Sequence, residues 1–565
     1  MSTVHSSYSL GTYQNAVISA LGALSQNDVI ARIWAKDYTV WKPAPYEIVN
    51  RLGWLDAPVD TLKKIQYIRS EIVPIINSGI NDVVLLGMGG SSLAAEVFKD
   101  VFGSTADCPT LRILDTTDPA TIAAVTASLN PDKTLFIVSS KSGTTLEVTS
   151  LFQYFYNLML KKSETRARGL FLFITDEGSH MAKLAGEVSS LPVFLNNPDI
   201  GGRYSALSLP GIVPAAIIGV DVERLLQNAV SAALREKINN FSGKLDDTGA
   251  SLGATLGTLA QMGRDKLTLI MPPRFASFGI WLEQLIAEST GKEGKGILPV
   301  TGEELSAPGA YSNDRVFVFF QNKAEDNSPK ISTLTAAGHP VITIESNDIY
   351  ELGAQMFIWE MATAICAHIL KINPFDQPDV EATKNHTRRI IAGYREKKVL
   401  PLSKPSLTTD QCDVCGNTNG STPAKTLKNF LGQARAFDYV CLQVYLSPTP
   451  EVDEALLKLR EAIFVKYKLA VTIGYGPRYL HSTGQLHKGD SGNGLFIQLT
   501  ADNLIDVDIP DRFGAKNSTL TFGTLKAAQA QGDWQALLDK NRRVIRLHFR
   551  SNPAEGLTNL ACLSP

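Results

Sequence analysis

Residues 83–92 read Val83-Val84-Leu85-Leu86-Gly87-Met88-Gly89-Gly90-Ser91-Ser92 and run on into Leu93 to Phe102, a helical stretch. Four apolar residues followed at once by a glycine-rich turn and a helix are the pattern of a strand buried in a parallel sheet. The turn offers backbone N–H groups and hydroxyls at a helix N-terminus, a place suited to an anion. It lacks the third glycine of the dinucleotide fingerprint at its usual spacing, and its serines suit a compact phosphate better than a pyrophosphate. Gly90 and Ser91 are the candidate ligands; a tight turn without ligand is the other reading of these residues.

The same alternation continues on both sides. An amphipathic stretch, Leu62 to Ile76, precedes this strand; Leu111 to Leu114, Leu135 to Ser139 and Leu170 to Thr175 read as further strands, separated by helical Ala120 to Leu129 and Thr145 to Leu160. A second series has strands at Leu267 to Met271, Val316 to Phe320 and Val341 to Ile344, with helices at Val222 to Lys237, Phe278 to Ser289 and Tyr350 to Leu370. A third has strands at Tyr439 to Tyr445, Leu469 to Ile473, Gly494 to Leu499 and Val544 to Phe549, and a helix at Val452 to Lys466. Short apolar strands alternating with helices predict an α/β protein: two doubly wound parallel-sheet domains and a smaller C-terminal α/β domain. The expected divisions are a helical N-terminal extension (1–60), a first domain (61–220), a second (221–395), a linker (396–425) rich in Pro, Ser, Thr, Asn and Gly, and the C-terminal domain (426–565).

The strand Leu135 to Val138 runs into Ser139-Ser140-Lys141-Ser142-Gly143-Thr144-Thr145-Leu146-Glu147. Hydroxyls, a lysine and a glycine in one turn directly after an apolar strand favour a phosphate dianion held by hydroxyls, N–H groups and the positive end of the next helix. Ser140, Lys141, Ser142 and Thr145 join Gly90 and Ser91 as expected phosphate ligands.

With 54 Lys plus Arg against 56 Asp plus Glu in 565 residues, no bulk charge points to nucleic acid or to an anionic membrane. The weakly polar run Leu207 to Val220 is too short to span a bilayer and contains Pro210 and Pro214. The polar N-terminus is unlike a secretory signal, and six cysteines in so long a chain argue for a reducing, cytoplasmic setting. Cys412 and Cys415 form a C-x-x-C, half of a zinc knuckle at most, with no second pair nearby. The eight histidines show no H-x-x-x-H spacing.

Three further stretches carry a resemblance. Asp199-Ile200-Gly201-Gly202-Arg203-Tyr204-Ser205, then Gln284 to Lys292 (Q-L-I-A-E-S-T-G-K), then Asn373 to Lys384 (N-P-F-D-Q-P-D-V-E-A-T-K) are similar, in order, to signatures of the glucose-6-phosphate isomerase family, whose two halves are sugar isomerase domains. The resemblance covers roughly residues 60 to 390. It implies an aldose–ketose isomerase of glycolysis and gluconeogenesis, a phosphosugar substrate, no metal and no organic cofactor, and a homodimer. A dual phosphoglucose/phosphomannose isomerase and a non-catalytic phosphosugar-binding regulator are the alternatives.

The resemblance assigns roles residue by residue. Glu288 is the base that takes a proton from one carbon and returns it to the next, Arg203 the fixed cation facing the enediolate oxygen, and Lys384 the group at the ring oxygen. Gln284, four residues before Glu288, shares its helical face and is expected to orient the base or bind substrate. The family's ring-opening histidine has no counterpart, since the chain has none between His180 and His339. The loop Gly476 to Gly489 resembles the C-terminal part of bifunctional transaldolase/glucose-6-phosphate isomerases; without the transaldolase barrel, no transaldolase activity is expected. From this loop His481 or His487, of the same or a neighbouring subunit, is expected to fill the gap; a purely structural loop is the other reading.

Overall fold

In the computed structural model, residues 5–238, 244–322, 325–401 and 403–562 are described. Met1 to Val4 of the expected N-terminal extension, Leu402 of the expected linker and residues 563–565 of the C-terminal domain lie outside them.

The fold class is as expected. The first sheet has five parallel strands in the spatial order Thr110–Leu114, Asp82–Leu86, Thr134–Ser139, Phe171–Asp176, Val193–Asn196. Its two central strands, Asp82–Leu86 and Thr134–Ser139, send their connections to opposite sides, so the strand order reverses between them. Ligands in open α/β sheets lie outside the carboxyl ends of strands at such a point. The two turns singled out in the sequence, 87–92 and 140–145, both start there.

The second sheet is Val341–Glu345, Arg315–Gln321, Lys266–Ile270 and Leu298–Thr301, all parallel, with His5–Ser9 added antiparallel at its edge. The N-terminal segment is therefore not purely helical: its first described residues extend a sheet roughly 330 positions away. Alternating exposure along His5–Ser9 fits an edge strand. The run Leu207 to Val220 holds the buried helix Leu209–Ile217, and among the described residues no helix is long and apolar enough to cross a membrane.

The third sheet is Ala470–Tyr475, Tyr439–Tyr445, Gly494–Ala501 and Arg543–Phe549 in parallel, continued antiparallel by Cys412–Cys415 and Leu407–Thr408. The segment expected to be a linker thus enters this sheet, and its Pro and Gly residues mark turns between short strands and the helix Pro423–Leu431. Cys412 and Cys415 are both free and buried at the two ends of one strand, an odd spacing that sends their side chains to opposite faces. Among the described residues no cluster of His, Cys, Asp or Glu is arranged to hold a metal ion.

One buried carboxyl gives the fold a pH dependence. Glu236, near the end of the helix Val222–Ile238, is 1% exposed and accepts a hydrogen bond from the Gly249 N–H. Burial pushes its pKa up to about 8. Because the folded value lies above the unfolded one, near 4.5, ionisation costs stability progressively as pH rises from about 4.5 to 8. We expect Glu236→Gln to stabilise the fold at pH 8 relative to wild type by a few kcal/mol more than it does at pH 4.5, each pH unit between the two values contributing roughly 1.4 kcal/mol. Urea unfolding at the two pH values checks this.

Candidate functional site

A cleft of ≈ 660 Å³ opens at the reversal point of the first sheet, and residues of all three domains line its wall. The two turns of the first domain form one side. Gly90 comes so close to the 201–205 segment that a Cβ there would lie 2.0 Å from the carbonyl oxygen of Gly202. No side chain at position 90 fits between them, which is the physical reason for glycine there, whereas a Cβ on Gly202 would meet only the Gly90 Cα, at 4.0 Å. Ser205 Oγ donates to the Gly90 carbonyl (3.1 Å) and secures the same junction.

Arg203 follows in the 3-10 turn Gly202–Tyr204 and is 4% exposed. Its Nη2 donates to the carbonyls of Phe375 (2.9 Å) and Asp376 (3.0 Å), so the Asn373 to Lys384 stretch serves it through backbone. Its Nη1 lies 3.7 Å from Glu288 Oε1 and has no hydrogen-bond partner within the protein. Behind it Tyr204 packs between Trp54 and Phe375, with ring centres 5.2 and 5.3 Å away, and fixes the depth of the turn.

Glu288 and Gln284 stand on one face of the helix Ala276–Thr290, as their spacing requires. Gln284 Nε2 donates to Glu288 Oε2 (3.1 Å) and to the His481 carbonyl (2.7 Å), while Gln284 Oε1 is buried without a partner. Lys292, at the end of the same motif, is 1% exposed and donates to the Asp376 carbonyl (2.5 Å) and carboxylate (2.8 Å). Burial first, then the Arg203 charge, push its pKa down to about 8, against the pull of Asp376. The sequence reading gave Lys292 no role; here it props up the carbonyl that receives Arg203.

The hydroxyl turn forms the far end of the cleft. Ser91, Ser142, Thr144 and Thr145 line it, and Thr145 caps the helix Leu146–Leu160 without spending its side chain on the cap. Two expected ligands are turned elsewhere. Ser140 is 3% exposed and accepts from the Gly143 N–H (3.1 Å), so it shapes the turn from behind. Lys141 lines the cleft, but its ammonium is held by the Asp176 carboxylate and the Pro198 carbonyl (2.6 Å). Lys384, on the helix Val380–Lys397, is half-exposed on the opposite rim, 3.7 Å from Glu381.

The two candidate histidines separate. His481 lines the cleft, and its Nε2 lies 2.9 Å from Glu147 Oε1. Glu147 is buried and also accepts from Gln529 Nε2 (2.7 Å); burial raises its pKa, but the adjacent imidazole, a backbone hydrogen bond and the Lys384 charge together hold it below the usual carboxylate value. His487 is fully buried between the rings of Tyr479 and Phe496, at 5.6 and 5.0 Å, with Nδ1 3.3 Å from Gln443 Nε2. Burial, then Lys488 and Arg542, push its pKa well down. His487 is a core residue of the third domain, outside the cleft. Glu147 was missed as a site residue, although it ends the hydroxyl stretch, because an acid in the first turn of a helix needs no ligand to explain it.

Residues 60–295 match the family model of phosphoglucose isomerase. A glucose-6-phosphate isomerase of Enterococcus faecalis is 26% identical over 398 residues, covering 61% of this chain and 88% of that protein. One from Staphylococcus haemolyticus is 28% identical over 396 residues, with the same 61% and 88% coverage. The crystal structure of a glucose-6-phosphate isomerase from Chlamydia trachomatis superposes with a TM-score of 0.59 at 18% identity, over 70% of this chain and 89% of that one. That of a hypothetical protein from Thermus thermophilus gives 0.57 at 23% identity, over 70% of this chain and all of the other. The family match ends before the third sheet begins.

The Gly90 contact can be tested directly. A methyl group 2.0 Å from the Gly202 carbonyl oxygen must push the two loops apart. We expect Gly90→Ala to cost about 1–3 kcal/mol of stability and, since an ångström of misplacement can cost about 100-fold in rate, most of the activity. A Tm and turnover equal to wild type would show that the loops separate freely.

Proposed function

We infer that this chain is a glucose-6-phosphate isomerase, interconverting glucose 6-phosphate and fructose 6-phosphate by proton transfer through an enediolate. The observation that carries this reading is the pair of buried, unpartnered polar atoms beside a carboxylate: Arg203 Nη1 and Gln284 Oε1, flanking Glu288. Buried polar atoms without partners are uncommon and expensive, and a sugar's hydroxyl and carbonyl oxygens would satisfy both.

The phosphate dianion lies at the N-terminus of the helix Leu146–Leu160, held by Ser142, Thr144, Thr145 and backbone N–H groups, with Ser91 on the near side. Lys141 adds positive potential there while staying paired with Asp176. Binding energy from this non-reacting end positions C1 and C2 against Glu288. Glu288 removes the proton from one carbon; negative charge develops on the carbonyl oxygen and is met by Arg203; the carboxyl then returns its proton to the neighbouring carbon. Gln284 keeps the carboxylate in line for both transfers.

The cyclic sugar must open first. His481, as imidazolium beside Glu147, donates a proton to the ring oxygen as the bond from that oxygen to the anomeric carbon breaks, its electron pair passing to the oxygen. The anomeric hydroxyl loses its proton to solvent and becomes the carbonyl. Lys384 on the opposite rim supports the same oxygen. His481 and Glu288 line one cleft within one chain, so on this reading the ring-opening group and the base come from the same subunit.

Incubating the protein with fructose 6-phosphate in deuterated water, with Glu288→Gln in parallel, tests the reading. We expect wild type to give glucose 6-phosphate carrying deuterium at C2 and the variant to lose turnover by about 100- to 10,000-fold. Binding without exchange or product in wild type would point instead to a phosphosugar-binding regulator.

A further inference from the structure

Three residues before His481, at the start of the 3-10 turn Arg478–His481, the side chain of Arg478 leaves the third domain and enters the first. Its guanidinium makes a two-pronged pair with the Glu96 carboxylate, Nη1 to Oε1 at 3.2 Å and Nη2 to Oε2, and its Nε lies 3.4 Å from Asp115 Oδ2. Forked pairing of this kind fixes direction as well as distance.

Both acceptors belong to the glycine-rich turn's own support. Glu96 is in the first turn of the helix Leu93–Phe102, which begins where that turn ends. Asp115 Oδ2 also accepts from the hydroxyl of Ser92 (3.1 Å), which is fully buried and lies 3.2 Å from the Gly89 carbonyl. A continuous chain thus runs from Arg478 through Asp115 and Ser92 to Gly89. Gly89 in turn lies against the backbone of His481, where a Cβ would meet the His481 carbonyl oxygen at 2.9 Å. The loop is gripped at both ends, by Arg478 at one and by Gln284 on the His481 carbonyl at the other.

Neighbouring contacts dock the third domain, and one of them, Gln529, also supports Glu147, the carboxylate that the His481 ring faces. Lys526 Nζ and Ser447 Oγ each bond Asp118 Oδ1 at 2.8 Å, and Thr117 Oγ1 donates to Gln529 (2.8 Å). Besides the contact of the His481 ring with Glu147, the Arg478 pair also joins this turn to the first domain, and it does so through the turn's other end.

We propose that Arg478 is the positioning residue for ring opening: its pair with Glu96 and Asp115 holds His481 over the sugar ring. The proposal rests on the assignment of ring opening to His481. It adds that a cation touching neither substrate nor the histidine sets how often the imidazole is in place.

The test compares two substrates. Fructose 6-phosphate is largely cyclic and needs opening; 5-deoxy-fructose 6-phosphate lacks the hydroxyl that closes the furanose ring and enters open. We expect Arg478→Gln to lower kcat/KM on fructose 6-phosphate by about 10- to 100-fold, the size of a small misplacement, and to change it on the open substrate by less than about threefold. Arg478→Lys, which keeps the charge and loses the fork, should fall between Gln and wild type. Should Arg478→Gln not fold, Glu96→Gln carries the same expectation.

Equal losses on both substrates, or no loss on either, would overturn the proposal. His481→Gln is assayed alongside on fructose 6-phosphate. If it is impaired while Arg478→Gln is not, the positioning role alone fails; if His481→Gln is unimpaired, the histidine assignment fails and takes this inference with it.

Discussion

The meeting of two backbone segments, at Gly90 and Gly202, is the constraint on which the cleft depends. The first domain's glycine-rich turn and the loop carrying Arg203 come together without a side chain between them. That contact lets an arginine be almost wholly buried while still facing a carboxylate. A buried guanidinium is tolerable only if its donors are used. Two carbonyls, from Phe375 and Asp376, take up Nη2, and the donor left over is the one that faces the substrate space. Burial and availability meet in one side chain: the fold satisfies the arginine in part and leaves one donor facing the cleft.

The same division applies to the glutamate helix. Ala276–Thr290 is buried along nearly its whole length, so Glu288 has little freedom to relax into water. Gln284 holds one carboxylate oxygen and, through the His481 carbonyl, ties the helix to the third domain. Gly291, just beyond the helix, has no room for a Cβ because Leu486 of the third domain lies within 2.3 Å of where it would be. A motif that reads as catalytic is therefore partly an interface motif.

Much of this was legible in the sequence, for reasons that particular residues make plain. Central strands such as Val83 to Leu86 and Leu135 to Val138 are buried on both faces, so their apolar runs stand out. The strands that escaped notice are edges and short ones: His5–Ser9 is polar, Leu298–Thr301 carries a proline, Val193–Asn196 has only four residues at the edge of the first sheet, and Leu407–Thr408, Cys412–Cys415, Asp508–Ile509 and Leu520–Thr521 are two to four residues long. The helix Gly249–Gln261 hid behind three glycines, which weaken helix propensity but let it press closely against Leu352–Leu370. In the site, spacing placed Gln284 and Glu288 on one face, whereas it could not separate His481 from His487. Six residues apart on a short loop, one enters the cleft and the other fills a core, and only the packing of Tyr479 and Phe496 decides which. Ser140 and Lys141 were likewise undecidable, since their partners, Gly143, Asp176 and Pro198, depend on how the turn closes.

Because the cleft's histidine is carried by the third domain, order of synthesis acquires a meaning. The ribosome delivers Glu288, Arg203 and the hydroxyl turn first, and His481 emerges on the order of ten seconds after Lys384 at ordinary elongation rates of about 5–20 residues per second. A nascent chain can fold its first two sheets and gather the groups proposed for proton transfer while still lacking the one proposed for ring opening. On the proposed reading, competence on the cyclic sugar is then a property of the chain with its third sheet in place, arriving when that sheet closes over the first.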